Sequence, residues 1–299
     1  MNSNLKISSS WSQLGLLLAL LGAALIFTGL IDKGILSISE ASASHTVLKA
    51  PDPQSVGMMK FIQAISTMSL FLLPAVLFAV FTFRTRRLSA LGFHKAEKAV
   101  FYGLAVLVML VAFPLEGWLG ELNRNFPLPA WAIDLEKEAE KQISALLKAN
   151  SFAVVALNVL VIALLPAICE EAFFRGALQR ILIGAFRNPW AGIIMTAILF
   201  SALHFQFQGF LPRMFLGVVL GALYWYSGSL WVSIAAHFFF NGIQVVAVSL
   251  NPDLIKKESP MPVTVTTALI SMVLVIALLT LLRKRSTVSY ARVYEEEPF

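Results

Sequence analysis

The stretch 152-FAVVALNVLVIALLPAICEEAFFRGALQRILIGA-185 decides the fold class of this protein. It is apolar over a length that suits a bilayer-crossing helix, which needs about 20 predominantly apolar residues. Within it lie two adjacent carboxylates and a guanidinium, those of Glu170, Glu171 and Arg175. A charged side chain at the centre of a bilayer costs about 2.5–3.5 kcal/mol on insertion scales. Three such charges in one apolar segment therefore require a physical reason.

The composition of the whole chain agrees with a membrane protein. Of its 299 residues, 58% are hydrophobic and only 13% are charged, and the mean hydropathy is +0.78. Soluble domains carry about 25% charged residues to cover their surface. The net charge of +6 comes without a long basic run, so we expect a lipid bilayer and no nucleic acid as its surroundings. The single cysteine, Cys169, is expected to be a small core thiol, although a reactive or ligand role is conceivable.

Eight apolar segments predict an all-α polytopic fold with about eight transmembrane helices. The segments cover about residues 11–31, 61–83, 100–122, 152–185, 189–204, 210–226, 230–250 and 263–282. We expect the first segment to be retained as a span rather than cleaved as a signal peptide. Its apolar run is too long for a signal h-region, and the small residues 41-ASA-43 lie well past its end.

The basic residues predict the orientation of the chain, since cytoplasmic loops carry an excess of Lys and Arg. The clusters are Arg84, Arg86, Arg87, Lys95 and Lys98 after span two, Arg180 and Arg187 at the end of span four, and Arg283, Lys284 and Arg285 after span eight. With eight spans all three clusters fall on one side together with both termini. We therefore expect a multi-pass protein, in a bacterial inner membrane, with both termini cytoplasmic.

Four regions follow from these spans. Residues 1–130 hold spans one to three with an outer loop at 32–60, and residues 131–150 an amphipathic interfacial helix. Residues 151–250 form a core of spans four to seven, and residues 251–299 the last span and a cytoplasmic tail. In 133-IDLEKEAEKQISALLKAN-150 apolar residues recur at helical spacing. This helix is expected to lie on the outer leaflet, with Trp131 as an interface anchor; a lid over the site is the alternative.

Helix geometry separates the two carboxylates. Glu171 and Arg175 are four residues apart, share one helix face and can form an ion pair. Glu170 is rotated about 100° away and has no local partner. The pair can be structural or can orient a substrate, whereas Glu170 remains to be explained.

Further polar groups occur in later spans, in 200-FSALH-204 and 237-HFFFN-241. Glu170 with His204 could deprotonate a water molecule, while His237 and Asn241, one helical turn apart, could donate hydrogen bonds to an oxyanion. These groups suit peptide hydrolysis without a covalent intermediate. Glu170, His204 and His237 could instead bind zinc with an open position, although the His-x-x-x-His pair of common zinc proteases is absent from the sequence. We favour the metal-free reading, with zinc left open.

The order of the three motifs 170-EEAFFR-175, 200-FSALH-204 and 237-HFFFN-241 resembles the CAAX-protease and bacteriocin-processing (CPBP, or Abi) family of intramembrane proteases. That family includes the type II CAAX prenyl endopeptidases. The resemblance covers about residues 150–250. It implies that Glu170 and His204 activate the catalytic water, that His237 and Asn241 stabilise the oxyanion, and that Glu171 and Arg175 form a structural or substrate-orienting pair. It implies membrane-anchored or lipidated proteins as substrates.

The resemblance requires an intramembrane cavity formed by helices four, five and seven, which poses a difficulty of depth. His204 lies about 24 Å along span five at 1.5 Å per residue, whereas Glu170 lies late in span four. We therefore expect a strong tilt, or a hairpin of spans five and six whose tip, 206-QFQGFLPR-213, stays inside the protein. Pro166 can kink span four. Glu116 is expected near the outer interface, with a substrate contact as the alternative.

Two other classes of function remain open. Intramembrane Glu and His residues also form the proton relays of transporters. A catalytically silent member of the family could act as a membrane scaffold. Loss of proteolysis on Glu170→Gln separates an enzyme from both.

Overall fold

The computed structural model describes residues 4–42, 53–251, 254 and 263–288, which are helical apart from short connections and one isolated bridge between Leu5 and Phe83. In chain order the α-helices are α1 (Ser10–Ser42), α2 (Pro53–Thr67), α3 (Leu73–Thr82), α4 (Arg87–Ala90), α5 (Val100–Arg124), α6 (Ala130–Leu147), α7 (Phe152–Asn158), α8 (Leu165–Glu171), α9 (Arg180–Phe186), α10 (Pro189–Ala202), α11 (Phe210–Ser227), α12 (Leu230–Leu250) and α13 (Val265–Arg285). The all-helical prediction is confirmed for these residues.

Seven of the described helices, counting continuous runs as one, are long and apolar enough to cross a membrane. The protein is therefore a multi-pass membrane protein by length and composition. The prediction of about eight such helices needs a correction at the fifth segment. There α10 has 14 residues, or about 21 Å at 1.5 Å per residue, which is shorter than the hydrocarbon core of about 30 Å. The residues predicted to complete that span, from Leu203 onward, form a turn instead.

The predicted outer loop at 32–60 is largely helical where it is described, because α1 continues to Ser42 and α2 begins at Pro53. The remaining residues of that loop, including the end of 41-ASA-43, lie outside the described residues. The same holds for the tail from residue 289 onward. The predicted amphipathic helix at 131–150 is α6, which begins at Ala130 and ends at Leu147.

Three π-helical segments interrupt the spans: Met68–Leu72 joins α2 to α3, Val159–Leu164 joins α7 to α8, and Ala172–Gln179 joins α8 to α9. Two of them immediately precede a helix with proline in its first turn, Pro74 in α3 and Pro166 in α8. Proline has no N–H to donate and its ring clashes with the preceding turn. A wider π turn before it accommodates both effects, so the expected disturbance at Pro166 takes this form.

Several chain segments meet on one side of the molecule, which we call the basic face: residues 4–9, 83–98, 187–188, 228–229 and 286–288. Their contacts are Lys6 N to Thr82 O at 2.8 Å, Arg84 N to Asn4 O at 2.8 Å, Arg180 Nη1 to Ala90 O at 2.8 Å, Leu230 N to Gly92 O at 2.8 Å, Ser229 Oγ to His94 O at 2.6 Å, Lys98 Nζ to Arg285 O at 2.6 Å and Thr287 N to Glu97 Oε2 at 2.9 Å. The three basic clusters of the sequence thus share one face.

Gly92 is needed where this face meets the core. Its φ is +95°, and an added Cβ would lie 2.6 Å from ring atoms of Tyr224. Both the backbone conformation and the close ring favour glycine over any L side chain. The glycine lets the loop after α4 lie flat against Tyr224 of α11, and Gly92 O accepts from Leu230 N at the start of α12.

The turn 203–209, which we call the hairpin tip, lies at the opposite end of the molecule, the tip face. Asn123, near the end of α5, donates from Nδ2 to Phe207 O at 2.8 Å and accepts at Oδ1 from Leu211 N at 2.7 Å. Glu136 of α6 accepts from Gln208 N at 3.0 Å. The tip is thus held by α5 and α6; of the residues 206–213, predicted to stay inside the protein, Pro212 is buried, Gln208 is exposed and the others are half-buried.

Helix α6 is fixed at both ends. Trp131, near its start, packs edge-on against Phe207 at 5.3 Å between ring centroids. Leu147, at its end, has a carbonyl that accepts from Asn158 Nδ2 at 2.9 Å, and the same amide nitrogen reaches Ser249 Oγ at 3.0 Å. Helix α6 therefore lies across the tip face and links α7, α12 and the hairpin tip.

Two buried apolar clusters hold the spans together. One joins α1 and α3 to the segment 172–183 and contains Phe78, Phe173, Phe174 and Tyr224. The other joins α5, α11, α12 and α13. Helices α1 and α13 are the least buried spans, with 17% and 22% of their apolar windows inside the protein, as expected for helices that face lipid at the periphery. The polar groups of the catalytic core lie between the two clusters.

Candidate active site

Glu171, the last residue of α8, is the centre of a buried polar chain. Its Oε1 accepts from Arg175 Nη1 at 2.7 Å and contacts His237 Nδ1 at 2.9 Å. The Glu171 and Arg175 side chains have no exposed surface. The ion pair expected from the i,i+4 spacing is therefore confirmed. The sequence did not predict its third member, since His237 lies in α12, 66 residues further along the chain.

His237 lies between the two adjacent carboxylates. Its Nε2 is 3.9 Å from Glu170 Oε2, which is too long for a direct hydrogen bond. Glu170 and His237 are both buried, with 8% and 5% of their surface exposed. If Nδ1 carries the hydrogen and donates it to Glu171, then Nε2 is the nitrogen that faces Glu170. The His237 imidazole thus contacts Glu171, which is paired with Arg175, and faces Glu170, which has no ion-pair partner within the motif.

Arg175 and Gln179, one turn apart in the π-helical segment, fasten this chain to α11. Arg175 Nη2 donates to Gly217 O at 3.2 Å, and Gln179 Nε2 donates to Gly221 O at 3.1 Å. An added Cβ at Gly217 would lie 2.9 Å from Ala197 Cβ, and one at Gly221 would lie 2.6 Å from Gln179 Oε1. The two glycines of 217-GVVLG-221 therefore allow close backbone approach, as small residues do between membrane helices.

Phe200 of α10 brings the second motif to the site. Its ring lies under the Arg175 guanidinium at 4.6 Å and is 6.1 Å from the His237 ring. The ring of His204 is 4.9 Å from that of Phe200, and His204 Nδ1 is 2.7 Å from Phe200 O. The Nε2 atom of His204 is therefore the one left available. The aromatic residue of the Phe-x-x-x-His pattern is thus a packing centre that contacts members of all three motifs.

His204 and Asn241, two of the predicted catalytic residues, are less tightly integrated. Both are half-buried. Within the described part of the chain no hydrogen bond joins His204 to Glu170, and the Asn241 amide has no hydrogen-bonding partner. Asn241 lies one turn after His237 on α12. Phe200 connects the two depths, since its ring is 4.9 Å from the ring of His204 in the turn after α10 and 6.1 Å from that of His237.

A metal site made of Glu170, His204 and His237 does not fit the geometry of the described residues. Among them no group of three or more His, Cys, Asp and Glu side chains converges closely enough to hold a metal ion. His237 Nδ1 is engaged by Glu171, and its Nε2 is 3.9 Å from the nearest Glu170 oxygen. Cys169, next to Glu170, is fully buried, as expected for a core thiol.

A further polar group lies on the tip side of the site and was missed by the sequence reading. Arg213, in the first turn of α11, donates from Nη2 to Gln206 Oε1 at 2.7 Å and from Nη1 to Gln206 O at 3.3 Å. Glu136 of α6, which accepts from Gln208 N at 3.0 Å, lies beside the same turn. Glu116 is half-buried in α5. An arginine in the first turn of an apolar helix after a Gln-rich turn is the signal that could have indicated it.

The comparison with protein families agrees with this geometry. Residues 152–243 match the family described as type II CAAX prenyl endopeptidase, Rce1-like. The match covers about a third of the chain, and over this segment it indicates a domain of the CPBP family. It begins with α7 and ends within α12, so it contains Glu170, Glu171, Arg175, His204, His237 and Asn241. Comparisons with curated proteins and with solved structures gave no significant match.

Proposed function

We propose that this protein is an intramembrane endopeptidase in which Glu170 and His204 activate a water molecule for attack on a peptide bond. The reaction would take place in a cavity formed by spans four, five and seven, here α7–α9, α10 and α12. Its substrates would be membrane-associated or lipidated proteins, as the prenyl endopeptidase description of the matching family suggests. The lipid bilayer is the common surroundings of enzyme and substrate.

One observation supports this proposal most directly. The Glu171 carboxylate, which accepts from the Arg175 guanidinium, also contacts His237 Nδ1 and so directs His237 Nε2 at Glu170. A buried ion pair by itself would explain Glu171 and Arg175 and nothing else. A histidine oriented beside a second carboxylate, one that accepts no hydrogen bond from the described residues, suits general acid–base catalysis.

The protons can be followed through the proposed reaction. Glu170, with His204, accepts a proton from water as the water oxygen attacks the carbonyl carbon of the scissile bond. The carbonyl oxygen becomes an oxyanion, for which the Asn241 amide and a protonated His237 are the candidate donors. When the C–N bond breaks, the proton held by Glu170 passes to the leaving nitrogen. No covalent enzyme intermediate forms, and no metal ion is needed for these steps.

Glu171 and Arg175 have a positioning role in this scheme. A Glu171 carboxylate that accepts from Nδ1 holds the His237 ring so that Nε2 points toward Glu170. The pair is therefore structural and at the same time determines which nitrogen of His237 faces the reacting groups. It need not touch the substrate.

The proposal is tested by comparing the protein termini of membranes from cells that express the wild type or Glu170→Gln. We expect new termini near membrane-anchored segments with the wild type and their loss with the variant. Glu138→Gln, the same change at an exposed carboxylate of α6, is the matched control and should keep the new termini. Equal termini with wild type and Glu170→Gln, with both proteins inserted, would contradict the protease. Proton-coupled flux in liposomes would then indicate a transporter, and an unchanged phenotype in the variant would indicate a scaffold.

A further inference from the structure

The proposed catalytic groups have different surroundings toward the basic face and toward the tip face. Toward the basic face they are covered by packed apolar side chains of the first core cluster. Four large members of that cluster are each no more than 2% exposed: Phe173, Phe174, Ile181 and Tyr224. A peptide or a water molecule arriving from the basic face would have to displace these side chains.

Toward the tip face the surroundings are polar. The charged and amide side chains on this side come from α5, α6, the hairpin tip and α11, and we call them together the polar vestibule: Glu116, Asn123, Glu136, Gln206 and Arg213. His204 itself lies in the turn of the hairpin tip, with its ring 4.9 Å from that of Phe200, and so connects the catalytic groups with the tip face. Asn123 is seven residues beyond Glu116, which places the two about 10 Å apart along α5. Ionisable groups at this depth are stable only around a hydrated cavity or in pairs.

The tip face also differs from the basic face in charge. The basic face carries the runs 84-RTRR-87 and 283-RKR-285, which mark the cytoplasmic side. The lysines of α6 on the tip face alternate with Asp and Glu residues instead. The tip face is therefore on the non-cytoplasmic side of the membrane.

We propose that substrates reach Glu170 from the tip face through the polar vestibule, and that this protease takes peptide segments at the non-cytoplasmic surface of membrane-anchored proteins. This deepens the function proposed above and rests on it. If it is correct, the substrates of this chain are not lipidated C-termini on the cytoplasmic side. The amphipathic helix α6 is then part of the entrance, since Glu136 both borders the vestibule and holds the hairpin tip through Gln208 N.

Cysteine labelling from one side of the membrane tests this proposal. The only natural cysteine, Cys169, is fully buried, so the wild-type chain supplies the background. Gln208→Cys at the hairpin tip and Lys284→Cys at the basic face, both exposed positions, report the two faces. Glu116→Cys reports the vestibule. The probe is a charged, membrane-impermeant thiosulfonate, applied to spheroplasts and to inverted vesicles of a bacterial host.

We expect Gln208→Cys and Glu116→Cys to be labelled in spheroplasts and to lose that labelling in inverted vesicles, whereas Lys284→Cys behaves in the opposite way. Labelling of Glu116→Cys from the Lys284 side would overturn the route, and so would its failure to react from either side. Labelling of Lys284→Cys in spheroplasts would overturn the orientation.

A second vestibule variant covers the case in which Glu116→Cys is not inserted. Gly120 lies one turn further along α5, and a Cβ there would meet only Arg124 Nη1 at 3.9 Å and Pro212 Cγ at 4.0 Å. Gly120→Cys is therefore accommodated without strain and should label from the same side as Gln208→Cys. Labelling does not depend on cleavage, so a failure of this proposal is distinguishable from a failure of the protease assignment. Where new termini are found, they should map to non-cytoplasmic segments, and cytoplasmic termini would contradict the route.

Discussion

At the scale of single residues, two adjacent glutamates have different surroundings. Glu171 is held by Arg175 and contacts His237, whereas Glu170 has only the more distant contact with His237 Nε2 at 3.9 Å. The i,i+4 spacing was enough to predict the Glu171–Arg175 pair. The contact with His237 depends on α12, a separate element, and no local spacing could indicate it.

The first prediction concerns the proposed base. Glu170→Ala and His204→Ala should each abolish cleavage while the protein remains folded, because removal of a general base costs about 10²–10⁴-fold in rate. The measurement is turnover of a substrate identified from its new terminus, with thermal unfolding in detergent as the check of folding. Turnover near that of the wild type in either variant would remove that residue from its assigned role.

The second prediction concerns the buried pair. Glu171→Ala or Arg175→Ala should lower the yield and the free energy of unfolding, because removal of one partner of a buried ion pair costs about 3–5 kcal/mol. Arg175→Ala would also leave Gly217 O without its donor. Lys141→Ala, which breaks the exposed pair with Glu138 at 3.7 Å, is the control and should have little effect. A variant of the buried pair with wild-type stability and no activity would argue against the structural role.

The third prediction concerns metal ions. Incubation of the purified protein with a chelator should leave turnover unchanged, because in the proposed scheme the Glu170 carboxylate deprotonates the water without a Lewis acid. The measurement is the rate of substrate cleavage before and after chelation and after addition of Zn²⁺. Activity that is lost on chelation and restored by Zn²⁺ would show that the metal-free scheme is wrong.

At the scale of elements, the span that carries the Glu-Glu motif is not a uniform α-helix. It runs from α7 to α9 through two π-helical segments, and the second of these carries both side chains that bind the glycine carbonyls of α11. The sequence predicted an apolar span through this region and a disturbance at Pro166. It did not predict the π turns, because a segment that is apolar on every side has the same sequence pattern in an α-helix and in a π-helix.

The fourth prediction tests the close approach of α11. Gly217→Ala and Gly221→Ala should each lower the free energy of unfolding by about 1–3 kcal/mol, the usual cost of overpacking a tight core. Gly103→Ala is the control, since nothing lies within 4 Å of its added Cβ, and replacement of a mid-helix glycine by alanine is expected to stabilise by about 0.5–1 kcal/mol. Thermal unfolding in detergent measures all three. Equal stability of Gly217→Ala and Gly103→Ala would show that the contact with Ala197 is looser than described.

At the scale of the whole molecule, contacts between distant segments define two faces. The described residues before α1 and after α13 both lie at the basic face. Between them the chain passes eight times from one face to the other if the short helix α10 is counted, although only seven runs have the length and composition of a span. The middle of helix α10 is buried against other helices, whereas Trp190 and Ala202 at its two ends are exposed.

The fifth prediction decides between seven and eight crossings. Ser8→Cys, before α1, and Lys284→Cys, near the end of α13, are both exposed positions and should react with an impermeant thiol reagent from the same side. An even number of crossings requires this result. Reaction from opposite sides would mean that α10 and its turn re-enter instead of crossing. The wild-type chain, with its buried Cys169, again gives the background.

The sequence by itself determined the membrane class, the spans other than the fifth, the Glu171–Arg175 pair and the order of the three motifs. These depend on hydrophobic length and on spacing within one helix, which are local properties of the chain. The tertiary structure decided what those local properties leave open: the contact of His237 with Glu171, the glycine carbonyls that receive Arg175 and Gln179, and the polar vestibule around Arg213. Each of these joins residues from different helices, and only the packing of those helices determines which side chains meet.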